Sequence, residues 1–64
     1  MKREKLLKHL RDNNCSFLRE GGSHSIYINT INDKISAVPR HSEVNKLMVR
    51  KICTELCISK PAGD

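Results

Sequence analysis

Two consecutive glycines, Gly21-Gly22, precede seven residues that alternate without a break, Ser23 to Asn29. Paired glycines accept positive φ without penalty and so mark a tight turn. The alternation has the two-residue period of a strand, with His24, Ile26 and Ile28 on one side and Ser23, Ser25, Tyr27 and Asn29 on the other. The isoleucines assign the first side to the core. A turn feeding a strand needs partners, and the flanking segments supply them. Cys15 to Glu20 reads as a preceding strand with Cys15 and Phe17 inward, and Asn32-Asp33-Lys34 as a second turn. Ile35 to Val38 then forms a third strand that Pro39 ends. Three strands with short connections form an antiparallel meander, one face covered and the other wet.

Both ends of the chain carry the helical period instead. In Arg3 to Asp12, Leu6, Leu7 and Leu10 make one stripe among lysines and an arginine read as a solvated face, and Asn13-Asn14 stops the run. Ser42 is a candidate N-cap for a second helix, with Glu43 in its first turn and Val44, Leu47, Met48, Ile52 and Leu56 as its core stripe. Lys46, Arg50 and Lys51 give that helix a basic side. The tail from Ser59 has little to bury. The expected fold is therefore α+β in the order α-β-β-β-α. Its three-stranded antiparallel sheet carries two helices on one face, the arrangement of a double-stranded-RNA-binding domain.

Size and charge narrow the function classes. The 64 residues allow one core and no second domain, and a domain this small is marginal without help from a metal, disulfide or partner. Lys and Arg number 12 against 7 Asp and Glu, a net charge of +5, which suits a polyanionic partner. The only aromatic side chains, Phe17 and Tyr27, are too few for serial base stacking along a single strand. Tyr27 could stack on RNA, pack against a partner, or serve the sheet. No run approaches the ~20 apolar residues that span a bilayer, so a soluble protein is expected, and the odd cysteine count with no secretory signal points to the cytoplasm. The odd count of three cysteines, Cys15, Cys53 and Cys57, points to reduced, buried, inert thiols. Cys53 and Cys57 lack two further ligands at zinc spacing, and neither metal nor cofactor is expected.

Read alone, His24 is either a rim residue of its strand or an acid/base group held at the mouth of a turn. Three segments together decide between these: Gly21-Gly22-Ser23-His24-Ser25-Ile26-Tyr27-Ile28-Asn29, Ala37-Val38-Pro39-Arg40-His41-Ser42-Glu43-Val44, and the stretch from Val49 to Ser59. Their motifs, order and spacing resemble the HicA family of prokaryotic toxins over nearly the whole chain, from the first helix to about Ser59. The resemblance implies one domain over residues 1–59, and the tail 60–64, with little to bury, is expected to fray. It implies an endoribonuclease that cleaves mRNA without a metal, neutralised by a HicB-type antitoxin, with His24 as the catalytic residue. Gly22 and Ser23, with Arg19, Lys34, Arg40 and His41, are the expected RNA contacts, though His41 is equally open to a structural role. The chain departs from the family where a glycine usually ends the last helix. Cys57 stands there instead, at a cost of about 1 kcal/mol if the residue is left-handed. The competing reading is a non-catalytic RNA-binding module of the double-stranded-RNA-binding class.

Overall fold

A computed structural model describes residues 1–62. Its elements run α1 (Arg3–Asp12), β1 (Cys15–Gly21), β2 (His24–Asn29), β3 (Ile35–Pro39) and α2 (Lys46–Leu56). The sheet is antiparallel in the order β1-β2-β3. Both helices lie on one face, where Leu6 and Leu10 of α1 meet Val49, Ile52 and Leu56 of α2 over Val38 of β3, all fully buried. The α-β-β-β-α expectation holds.

The face of β2 that meets the helices is the opposite of the one expected. Ser25, Tyr27 and Asn29 are buried, while His24, Ile26 and Ile28 are half-buried on the open side. The polar face can go inward because its groups find partners. Asn29 Nδ2 donates to the Leu56 carbonyl at 2.8 Å, and on β3 the buried Ser36 hydroxyl donates to Glu55 at 2.6 Å. A buried polar group that is hydrogen-bonded costs little, and the helices supply enough leucine and isoleucine to close the core. The open face is left partly apolar, with Leu18 and Ile35 exposed beside Ile26 and Ile28.

The strand β1 carries a bulge. Phe17 pairs with Tyr27 but Arg19 pairs with Ile26, so Leu18 is the extra residue. Before the bulge Cys15 and Phe17 share the helix side; after it Arg19 and Gly21 stand on the side of His24. Phe17 was expected inside and is 51% exposed. It still meets Tyr27 edge-on at 5.9 Å between ring centroids, but β1 is an edge strand, which leaves the ring half open.

The second helix starts later than its sequence suggests. Its N-cap is Asn45, whose side chain accepts from the Met48 N–H at 2.9 Å. Ser42 instead offers its carbonyl to the Arg3 N–H at 2.9 Å, and the Val44 N–H donates to the Met1 carbonyl at 2.8 Å, with a bridge between Lys2 and Glu43. The start of the chain thus pairs with 42–44 and keeps them out of the helix. The core stripe of α2 moves accordingly, to Val49, Ile52, Cys53 and Leu56; Leu47, expected inside, is 76% exposed. Cys15 and Cys53 are buried as expected, whereas Cys57 is exposed. Burial raises the thiol pKa of both buried cysteines; at Cys15 the neighbouring Cys53 adds to the rise, and at Cys53 the Lys60 charge opposes it. Of the tail, residues 63–64 lie outside the described residues. Before them Pro61 is buried, and the Ser59 carbonyl lies 2.7 Å from His9 Nε2.

Candidate functional site

The β1–β2 connection has two residues, Gly22 and Ser23, because Gly21 pairs directly with His24. Gly22 has φ of +62°, and Ser23 does not share the positive sign, which is the arrangement of a II′ hairpin turn. A side chain on Gly22 would meet no atom within 4 Å, while one on Gly21 would come within 3.1 Å of Ile26. Gly22 therefore answers to backbone conformation and Gly21 to packing.

His24 is the first residue of β2, paired with Gly21 on one side and Pro39 on the other. Its Nδ1 lies 3.4 Å from the Ser23 hydroxyl, and among the described residues the ring makes no other hydrogen bond. The ring thus stands at the end of the central strand, on the open face. The bulge brings Arg19 to the same face, opposite Ile26 and two residues from Gly21. Arg40 follows Pro39 directly, so it adjoins the rung of His24, but its guanidinium is engaged by Glu20. His41 is exposed in the loop that follows. Lys34 does not join this group. It lies at the far turn, where its carbonyl accepts from the Asn29 N–H at 2.8 Å, five residues and roughly 17 Å along the sheet from His24 at the usual strand rise.

Three polar side chains that sequence reasoning did not single out gather beside the His24 rung: Arg3, Glu20 and Ser25, joined by hydrogen bonds to each other and to Arg40. Arg3 marks only the start of the first helix in the sequence, and nothing local shows that it reaches Ser25, 22 residues away. Among the described residues no group of three or more His, Cys, Asp or Glu side chains could hold a metal ion, and no enclosed pocket is present. A small ligand usually needs most of its surface enclosed. An open, cation-flanked face instead suits a polymer.

A profile for the family described as the HicA toxin of bacterial toxin–antitoxin systems matches residues 3–58. The chain belongs to the HicA toxin family. The match spans both helices, the whole sheet and the Gly-Ser-His and Val-Pro-Arg-His segments. Membership places the chain among the toxins of bacterial toxin–antitoxin pairs. No curated protein and no solved structure matches it. No helix of this HicA chain is long and apolar enough to cross a membrane, among the described residues.

Proposed function

We propose that this HicA-family chain is a metal-independent endoribonuclease that cleaves mRNA in the cytoplasm, with His24 as its general acid/base. The observation that carries the proposal is the position of His24 within the family match: an imidazole on the open face, at the end of the central strand, with Arg19 beside it.

RNA carries its own nucleophile. When the 2′-oxygen bonds to the adjacent phosphorus, its proton must leave; when the phosphorus–5′-oxygen bond breaks, that oxygen must gain one. The products are a 2′,3′-cyclic phosphate and a 5′-hydroxyl, with no change in oxidation state. An imidazole, whose ordinary pKa is about 6.5, can perform either proton transfer near neutral pH. Negative charge spreads over the phosphoryl oxygens in between, and Arg19 and the backbone N–H groups of the turn can stabilise it, while Arg40 would contact the strand away from the reacting atoms. Because the nucleophile is the RNA's own hydroxyl, no metal-bound hydroxide is required. Gly22, Ser23 and His41 border this surface and would contact the same strand, while Lys34 would meet RNA only well beyond the scissile bond.

Restraint follows from pairing. A basic toxin with an open phosphate-binding face is matched by an acidic surface, and we assign that role to a HicB-type antitoxin. Binding to the folded toxin also stabilises it by mass action.

The test compares wild type with His24→Ala on a long mRNA in the presence of EDTA. Cleavage by wild type should fall by about 100- to 10,000-fold in the variant, with the same melting temperature. Cleavage that survives the substitution would remove His24 from the chemistry. Cleavage that EDTA stops would sink the metal-free route, and equal binding without cleavage by either protein would favour the RNA-binding module.

A further inference from the structure

The bulge at Leu18 turns Glu20 away from His24 and toward the helix side, where its carboxylate accepts hydrogen bonds from Arg40 and Ser25. The Arg40 Nε donates to Glu20 Oε1 at 2.8 Å, and its Nη2 donates to the same oxygen. The Ser25 hydroxyl donates to the two carboxylate oxygens at 3.3 and 3.2 Å. Arg3 stands behind Ser25. Its Nη2 donates to the Ser25 oxygen at 3.0 Å and its Nε to the Pro39 carbonyl at 2.8 Å. With its oxygen accepting from Arg3, the Ser25 hydroxyl has its proton directed at the carboxylate. Pro39 and Gly21 are the two partners of His24 across the sheet, so every member of this group sits in the rung of His24 or next to it.

A guanidinium with two N–H groups converging on one oxygen of an anion, and a hydroxyl reaching both its oxygens, can hold a phosphodiester as well as a carboxylate. The Glu20–Arg40 pair is about half exposed, at 54% and 47%, and pairs so exposed are weakly held. Glu20 also lies on β1, an edge strand of the sheet. We propose that Arg40 and Ser25, positioned by Arg3, form a binding subsite for an RNA phosphodiester, and that Glu20 fills it as an internal stand-in which RNA must displace. The identity of the anion rests on the ribonuclease reading; the site itself does not depend on catalysis by His24. The subsite adds binding to the substrate strand without touching the reacting atoms, so Glu20 raises KM and leaves kcat alone.

The decisive variant is Glu20→Gln, which keeps the shape and removes the charge. Binding of a fluorescent single-stranded oligoribonucleotide is measured across a salt series in the His24→Ala background, where the probe stays intact. Asp33→Asn, at the far turn where Asp33 has φ of +62°, removes the same charge and serves as control. Glu20→Gln should tighten binding several-fold and steepen the slope of log K against log salt by about 0.7, the value for one more single-strand phosphate contact. Asp33→Asn should leave the slope unchanged, and adding Arg40→Ala to Glu20→Gln should abolish the gain. With His24 restored, Glu20→Gln should lower KM at unchanged kcat. Equal slopes for the two charge removals, or weaker binding by Glu20→Gln, would overturn the proposal. If the chain binds no RNA, titration with inorganic phosphate decides separately. A shift of the Arg40 Nε resonance in Glu20→Gln but not in wild type keeps the subsite while the ribonuclease reading falls, and no shift in either removes the subsite.

Discussion

Cys57 occupies a conformation that costs an L-residue energy. It has φ of +57° and ψ of +45°, and around it the Ile58 N–H donates to the Cys53 carbonyl at 3.0 Å and the Cys57 N–H to Thr54 at 3.1 Å. These two bonds are the Schellman closure of a helix, whose left-handed position glycine fills without strain. Cys57→Gly should therefore stabilise the fold by about 1 kcal/mol, and raise the melting temperature by about 4–8 °C for a domain of this size. A thermal melt checks it, and an unchanged or lower midpoint would show that the exposed thiol side chain contributes something the backbone argument misses. The departure was legible only through the family resemblance, which marks a glycine where this chain has Cys57; the local sequence does not say which residue would end the helix in the left-handed position. By contrast Asn14 and Asp33, also at positive φ, belong to types that tolerate it and raise no comparable strain.

At the scale of elements, α2 distinguishes two capping residues that look alike in the sequence. Asn45 caps the helix through its side chain, whereas the Ser42 carbonyl is paired to Arg3. Asn45→Ala should cost about 1 kcal/mol and Ser42→Ala no more than about 0.5 kcal/mol, measured by urea unfolding of each; the reverse order would mean the helix starts at Ser42 after all. The existence of five elements was readable, because period 3.6 and period 2 are local properties. Which cap is used was not, since it depends on pairing between Met1–Arg3 and Ser42–Val44, some 40 residues apart. The inward face of β2 was hidden for a related reason. Alternation reports that two faces differ, but its sign depends on what lies opposite, and here hydrogen bonds from Asn29 to Leu56 and from Ser25 to Glu20 let the polar face win. His24 was legible through its motif and its place after the turn. The Arg3–Ser25–Glu20–Arg40 group was not, because it exists only once the strands are in register.

For the molecule as a whole, the two buried thiols tie stability to alkaline pH. Burial raises the pKa of Cys15 and of Cys53 above the ordinary value of 9.0. The unfolded chain then loses these protons first, so the native state holds more of them above about pH 9. Their contribution is fully present below pH 9 and is lost as pH rises through the elevated native values. Urea midpoints should be level near neutrality and fall beyond pH 9, and Cys53→Ala should flatten the fall; a slope unchanged by that substitution would assign the effect to other groups.

The single extra residue in β1 has a consequence for charge that composition does not show. Side chains along a strand take sides by odd and even count, and Leu18 shifts the count for everything after Phe17. Were Leu18 paired in the ladder with no bulge, the parity would invert: Glu20 would stand beside His24 and Arg19 would face Arg3 and Ser25. The histidine would then sit in a negative field and the arginines would repel one another, although every ionisable residue and the net charge of +5 would be the same. In this small protein the sign of the field at the reactive group is set by arithmetic along one strand.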